Sequence, residues 1–310
     1  MTRAGLYYDL RTVTAADLVD RYALALTQIE RSDRVGFDLV RLPEHHGSDD
    51  SYLPASRVFA AAVAARTTRV RIQLYAVLLP LHHPVALAEE IAVLDLLSAG
   101  RLEVVGAAGY RPSEYEMFGV DFTRRGELVE AGIEVLRRAW TGEPFEFGGA
   151  HVQVLPRPAR PGGPPILLGG TSPAAARRAA RCADGFLPNA AVYDAYLDAC
   201  RAMGKSPGPR PPRQSPFLFV SDRPERTSAA VQPYIDHEVQ TYKSWHAAMD
   251  LDRAAGQYRV VTPDEAIELA RQVDLLMLHP MVGGLPAQLS EECFDAFLRR
   301  VWPAILEEQQ

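Results

Sequence analysis

The chain has 310 residues, 47% of them hydrophobic, which is ample for one large core, and its 23% of charged residues is ordinary for a globular protein. A formal net charge of −6 argues against a nucleic-acid partner, because phosphate binding normally needs a basic face. Cys182, Cys200 and Cys293 are scattered with no C-x-x-C, which argues against a disulfide framework and structural zinc and fits a reducing cytosol.

The opening residues, Met1 to Asp9, hold no apolar signal-peptide region, so neither secretion nor a leader is expected and the protein is taken as cytoplasmic. A first strand is expected near residues 6–8. A helix follows, with Thr14 as N-cap, Asp17 three residues on, and Leu18, Tyr22, Leu26 and Ile29 at helical spacing. A second strand covers 37–42 and runs into Pro43, Glu44, His45 and His46. A helix over 54–65 leads to a β-branched and aromatic third strand over 70–78.

The third helix is well delimited. Pro84 suits its first turn, Leu87, Ile91 and Leu94 line one face, and Gly100 suits the left-handed position past its end. The apolar stretch 76–97 does not read as membrane-spanning, because His82, His83, Glu89, Glu90 and Asp95 interrupt it. Strand four is 101–105. Thr123 is expected to cap a helix reaching Trp140, and a hairpin over 145–155 turns at Gly148 and Gly149.

Strand five is 165–168. The helix that starts at Ser172 and Pro173 is dominated by alanine, which lets it lie close to a sheet. Strand six is 185–188, followed by a helix to about Met203 and a Pro-rich loop over 205–216. Strand seven is 217–221, strand eight 274–278, and a last helix covers 290–306. The stretch 223–273 is too long for one ordinary helix and two loops. Eight strands alternating with helices give an α/β chain, read as a single (β/α)8 TIM-barrel domain over 1–310.

In such a barrel, functional groups gather where strands end. Glu44, His45 and His46 follow strand two. An imidazole titrates near neutrality and serves as general acid or base. The plain alternative is a pair of loop histidines, and no metal-ligand spacing accompanies them. Gly106, Ala107, Ala108, Gly109, Tyr110 and Arg111 follow strand four, where small residues let a flat ligand approach the backbone or simply make a turn. Gly169, Gly170, Thr171, Ser172 and Pro173 join strand five to a helix. Free N–H groups and the helix dipole favour a phosphate there, with ordinary helix capping as the alternative. His279 ends strand eight and either lines the same mouth or bonds into its own loop. Residues 242–258, with Trp245 and His246, form either a lid or a packed helix face.

Four motifs in this order and spacing carry a resemblance: Gly36-Phe37-Asp38 with Pro43-Glu44-His45-His46; Leu78-Leu79-Pro80 with His83-Pro84; Asp95 to Arg101; and Phe118-Gly119-Val120-Asp121. Together they resemble the bacterial luciferase-like monooxygenases. The resemblance implies a (β/α)8 barrel with a flavin at its mouth and a catalytically important histidine at His45. It also implies a non-proline cis peptide at Tyr75–Ala76 under the flavin ring, and the flavin phosphate at Gly170, Thr171 and Ser172. Two departures matter: Ala107 stands where luciferase has a reactive cysteine, and Ala108 where it has a phosphate-side arginine. Arg111 or Arg177 is the candidate replacement for that charge.

The resemblance therefore implies a monooxygenase that uses reduced FMN and oxygen on a small organic substrate. Its expected partners are that substrate, a separate flavin reductase, and a second copy of the chain in a homodimer, with no membrane. Tyr75, Ala76, Gly106, Ala107, Gly109, Tyr110 and Gly169–Ser172 are the cofactor candidates, and Glu44, Arg111 and His279 the substrate candidates. Two rivals keep the fold: F420-dependent hydride transfer, and a non-catalytic flavin-binding subunit.

Overall fold

A computed structural model describes residues 2–12, 18–188, 190–246 and 256–309. The Thr14 and Asp17 cap and residues 247–255 of the lid candidate lie outside the described residues. By contact density the chain divides into two compact units. The first is Met1–Arg41, His45–Pro54 and Pro212–Gln310, and the second is Leu42–Glu44 and Ala55–Pro211.

The first unit is built on five parallel strands in the order β10-β9-β11-β1-β2. These are β1 (Arg3–Tyr7), β2 (Leu39–Leu42), β9 (Gln214–Val220), β10 (Tyr258–Val261) and β11 (Leu275–Leu278). β2 and β11 are buried at every residue, as strands covered on both faces are. Its helices include α1 (Leu18–Val35), α8 (Pro224–Trp245) and α9 (Pro263–Ala270). The last helix of the sequence reading is two, α10 (Ala287–Ala296) and α11 (Trp302–Glu308), joined by a π-helical stretch over Phe297–Val301. Phe37, Phe297 and Trp302 pack ring to ring at that end, and the Trp302 indole donates to the Val35 carbonyl at 2.8 Å.

The overlong stretch 223–273 resolves, among its described residues, into α8, β10 and α9. The start of α9 carries a full capping box, Thr262 with Glu265, that the sequence reading missed.

The second unit has four parallel strands in the order β3-β4-β7-β8 and a separate hairpin. The strands are β3 (Arg71–Leu78), β4 (Leu102–Ala107), β7 (Ile166–Gly170) and β8 (Gly185–Pro188). The hairpin pairs β5 (Phe145–Phe147) with β6 (Ala150–Val152) around Gly148 and Gly149, both at positive φ as its turn requires. The helices are α2 (Ser56–Arg66), α3 (Pro84–Leu97), α4 (Pro112–Phe118), α5 (Arg125–Ala139), α6 (Pro173–Cys182) and α7 (Tyr193–Ala202).

Two expectations need correction here. Thr123 does not cap the helix to Trp140. Asp121 caps a short 3-10 turn instead, accepting from the Thr123 amide at 2.8 Å, and α5 begins only at Arg125. The helix α4 went unread, although Pro112 at its first position and Gly119 in the left-handed region just past its end are its signals.

The run Asp95 to Arg101 is structural. The Arg101 guanidinium donates to the carbonyls of Ala64 and Thr67 at the end of α2, to Val70, and to Ser98 past α3, at 2.7–3.1 Å. It satisfies helix-end acceptors that burial would otherwise orphan. Asp95, fully buried, accepts from the Arg160 amide at 3.0 Å.

Candidate active site

At the end of β1 the first unit buries a network of charge. Asp9 and Arg11 are fully buried, and Arg11 Nε donates to Asp9 at 2.7 Å and Nη1 to Asp50 at 3.2 Å. His237 Nε2 lies 3.0 Å from the same Asp50 oxygen. Burial alone would raise the Asp9 carboxyl, but Arg11 and then His279 hold it below the ordinary carboxylate range. The Arg11 cation also lies over the rings of Tyr52, Tyr242 and Trp245, at 4.6, 5.0 and 5.9 Å.

His279 directly follows β11 and is fully buried. Its Nε2 is 3.4 Å from Asp9 and its Nδ1 is 3.7 Å from Glu238 of α8. Glu238 accepts from the Tyr258 hydroxyl at 2.6 Å. Burial, and then the nearby Asp9 charge, raise the Glu238 carboxyl although His279 opposes them. One ligand atom from each of Asp9, Glu238 and His279 lies within 4.8 Å of the others. A metal would accept that spacing, but the guanidinium on Asp9 repels a cation, so the group reads as a proton and charge network.

His45 lies three residues past β2, the strand paired with β1. It is buried among rings: Trp245 at 4.8 Å, Tyr52 at 5.0 Å and Tyr242 at 6.1 Å between centroids. His279 in turn meets Tyr7 edge-on at 4.8 Å, and the Tyr7 and Tyr52 hydroxyls are 3.0 Å apart. So the first unit brings His45 and His279 into one cluster, at the same end of its parallel strands. Trp245 belongs to packed α8, the helix-face alternative for that residue.

Glu44, expected at the substrate, is buried in the second unit. It takes His82 Nε2 at 2.6 Å and Arg57 at 3.3 Å, so its carboxylate is held in an ion cluster. Arg111 is buried as well and donates to Glu114 at 3.2 Å. Gly106 and Ala107 end β4 and Gly169 and Gly170 end β7, while Tyr75 and Ala76 lie inside the adjacent β3, so the second unit does bring these candidates together. The Tyr75–Ala76 peptide is cis, where the resemblance puts it.

The small residues there have different reasons. A Cβ on Gly106 would stand 2.6 Å from Leu79 and 3.2 Å from Leu168, so core side chains already fill that space. A Cβ on Gly170 would overlap Ala175, which makes Gly170 the seat of α6. Gly169 differs, since its nearest neighbour would be Val105 at 3.7 Å. Gly109 sits at φ +68°, a turn that glycine eases. Tyr110 is half-buried. Past β7, Thr171 and Ser172 are exposed, and the Ser172 oxygen caps α6 by accepting from Ala175 N–H at 3.2 Å. A hydroxyl that accepts in this way still has its own proton to donate.

A family model for luciferase-like monooxygenases matches residues 7–283. The chain belongs to the luciferase-like monooxygenase family. Within this family, the alkanal monooxygenase alpha chain of Photorhabdus luminescens is 32% identical over 142 residues, 44% of this chain and 39% of that one. The chain matches about half the length or less of its curated relatives. Monooxygenase RslO1 from Streptomyces bottropensis superposes with a TM-score of 0.80 at 26% identity, over 98% of this chain and 99% of that one. An FMN complex of the oxygenating constituent of 3,6-diketocamphane monooxygenase from the CAM plasmid of Pseudomonas putida gives 0.74 at 18% identity, over 98% and 99% of the two chains. An F420-dependent secondary alcohol dehydrogenase gives 0.69 at 18%, with the same coverage. The last two share the fold alone. The fold is the TIM-barrel-like α/β fold of the luciferase-like family. Among the described residues, no helix is long and apolar enough to cross a membrane.

Sequence reasoning did not single out Asp9, Arg11, Tyr7, Tyr52 or Glu238. Asp9 and Arg11 stand just past the first strand and were legible by the strand-end rule. Glu238 lies mid-helix, where no local signal marks it.

Proposed function

We propose that the protein is a flavin-dependent monooxygenase acting on a small organic substrate with reduced FMN from a separate reductase. The observation that carries this reading is the end of β7. There a Cβ on Gly169 would meet nothing nearer than ordinary contact, Thr171 and Ser172 are exposed, and α6 begins with Ser172 as cap and Pro173 at its first position. An anionic phosphate is stabilised by such a helix start, through free N–H groups and the dipole. The residues present fit the group. Of the two arginines that might stand in for the one replaced by Ala108, Arg111 is engaged by Glu114. Arg177 is exposed on α6 and makes no ion pair among the described residues, so we assign the charge to Arg177. Membership of the family and the FMN complex of a protein of this fold support the same cofactor.

When bound, reduced FMN supplies the electrons that activate oxygen. The chain's own part is to position, exclude water and handle protons. His45 carries or accepts a proton at a ring nitrogen, and the rings of Tyr52, Tyr242 and Trp245 keep water from it. Glu44 acts indirectly, as the carboxylate that fixes His82 and Arg57.

The test is a titration of the purified protein with FMN and, separately, with F420, followed by turnover of His45→Ala. FMN binding is expected, with turnover of His45→Ala reduced about 100-fold and FMN affinity unchanged. Binding of F420 in place of FMN would replace this reading with hydride transfer, and binding of neither would end it.

A further inference from the structure

Three tyrosine hydroxyls meet in the first unit from three separate segments: Tyr7 from β1, Tyr52 from the loop after β2, and Tyr242 from α8. Tyr52 Oη is 3.0 Å from Tyr7 Oη and 2.9 Å from Tyr242 Oη, while Tyr7 and Tyr242 stand 3.4 Å apart. Each phenol brings one proton to donate. The third separation is long for a bond between hydroxyls, whose usual range is about 2.5–3.0 Å. Three protons and two good bonds leave one proton with only the long 3.4 Å contact as its acceptor inside the trio, a bond that a better-placed acceptor displaces. None of the three has a further hydrogen-bond partner among the described residues.

Burial, the largest influence on each, raises all three phenols, so they remain protonated donors at ordinary pH. A chain of hydroxyls polarises its members and strengthens the donor at its end. That end is Tyr242, which is half-buried, whereas Tyr7 and Tyr52 are buried. The surroundings narrow the acceptor. Asp9 and Asp50 already neutralise the Arg11 cation beneath the rings, although its Nη2 has no hydrogen-bond partner among the described residues, so an incoming carboxylate meets no net positive charge. The Trp245 and His45 rings beside Tyr242 offer flat walls to an apolar body.

We propose that Tyr242, backed by Tyr52 and Tyr7, donates a hydrogen bond to a neutral carbonyl oxygen of the substrate and so selects carbonyl compounds over hydrocarbons of the same shape. This rests on the oxidoreductase reading above, and it names the substrate feature that reading leaves open.

Two probes of nearly equal shape test it: acetophenone, which carries a carbonyl, and α-methylstyrene, which carries a methylene in its place. The wild-type chain should bind acetophenone on the order of tenfold more tightly, the worth of one well-placed hydrogen bond. The infrared stretch of the bound carbonyl should fall below its frequency in an apolar solvent. Tyr242→Phe should abolish the preference and return the band, with an unchanged Tm. Tyr52→Phe, which breaks the chain behind the donor, should reduce both effects, and it serves as the variant to read if Tyr242→Phe does not fold. Equal affinities in the wild type, no binding of either probe, or a preference that survives in the folded variant would overturn the proposal. FMN titration of the same samples separates the two readings. Lost FMN binding with the preference intact sinks the flavin reading alone, and intact FMN binding without the preference sinks this one.

Discussion

At the ends of β1 and β11 the first unit buries Asp9, Arg11 and His279, and α8 adds Glu238, all with almost no exposed surface. The second unit ends β4 and β7 differently, with Ala107, Gly169 and Gly170, and places Ala76 within the adjacent β3. One set of strand ends presents side chains that hold charge and protons. The other presents backbone, with little beyond Cβ to obstruct a ligand. The difference teaches that a strand end can serve chemistry in two ways. Burying ions is costly unless every charge is paired, so the first kind is fragile to loss of one partner. The second kind is fragile to gain of a methyl group.

The largest effect should come from Arg11→Met, which keeps the volume and removes the cation between Asp9 and Asp50. Breaking a buried pair in this way costs about 3–5 kcal/mol, because the remaining carboxylates stay buried without compensation. Urea unfolding would measure it. The sign with pH follows from Asp9. Its folded carboxyl ionises below the ordinary range, so its contribution is present above that range and is lost as the pH falls through the folded value. The gap between wild type and Arg11→Met should therefore be widest near neutrality and shrink in acid. A gap that is small, or that grows in acid, would show that Asp9 and Arg11 are not the supports of these strand ends.

The same contrast explains what the sequence made legible. Eight strands, the hairpin and the start of α6 could be read because each rests on local signals: β-branched runs, Gly148-Gly149, and Ser172-Pro173. The small-residue strand ends were legible for the same reason. What they do was not, because the atoms that fill the space beside Gly106 and Gly170 come from Leu79, Leu168 and Ala175. Two of these are distant in sequence from the glycine they meet. The charged cluster was legible only in part. His45 and His279 stood out as histidines at strand ends. Glu238 and Tyr242 reach the cluster from a long helix within 223–273, a stretch with no local signal that ties either residue to the cluster, and their separation from Asp9 exceeds 200 positions in the chain.

A middle-sized effect distinguishes the two glycines that end β7. Gly170→Ala places a methyl group against Ala175, and overpacking of this kind costs about 1–3 kcal/mol. It should lower Tm and disturb α6, so a bulky residue at position 170 cannot by itself report on a cofactor. Gly169→Ala meets only ordinary contact with Val105 and should fold normally. If the proposed phosphate seat lies there, Gly169→Ala weakens FMN binding while Tm holds. Wild-type FMN affinity in Gly169→Ala would move the seat elsewhere and leave the second set of strand ends without its proposed purpose.

The smallest effect is also the one most specific to the first unit. Burial raises the Glu238 carboxyl, Asp9 adds to it, and His279, Arg11 and the Tyr258 hydroxyl oppose it. A carboxyl raised on folding holds its proton at a pH where the unfolded chain has released it. Folding then takes up a proton, and stability falls as the pH rises from the ordinary carboxylate range towards the folded value. Glu238→Gln keeps the shape and an acceptor for Tyr258 but has no proton to lose. The variant should match the wild type in acid and become the more stable one as the pH rises, by on the order of 1 kcal/mol, the lower end of what relief of a buried charge gives. His279 makes the outcome informative, because its Nδ1 faces Glu238 and its Nε2 faces Asp9. If His279 depends on an ionised Glu238, the substitution destabilises the fold at every pH instead, and the unfolding curves of wild type and Glu238→Gln diverge in the opposite direction. Thermal melts of both chains between mildly acidic and mildly alkaline buffer therefore decide whether the proton of this cluster rests on the carboxyl or on the imidazole.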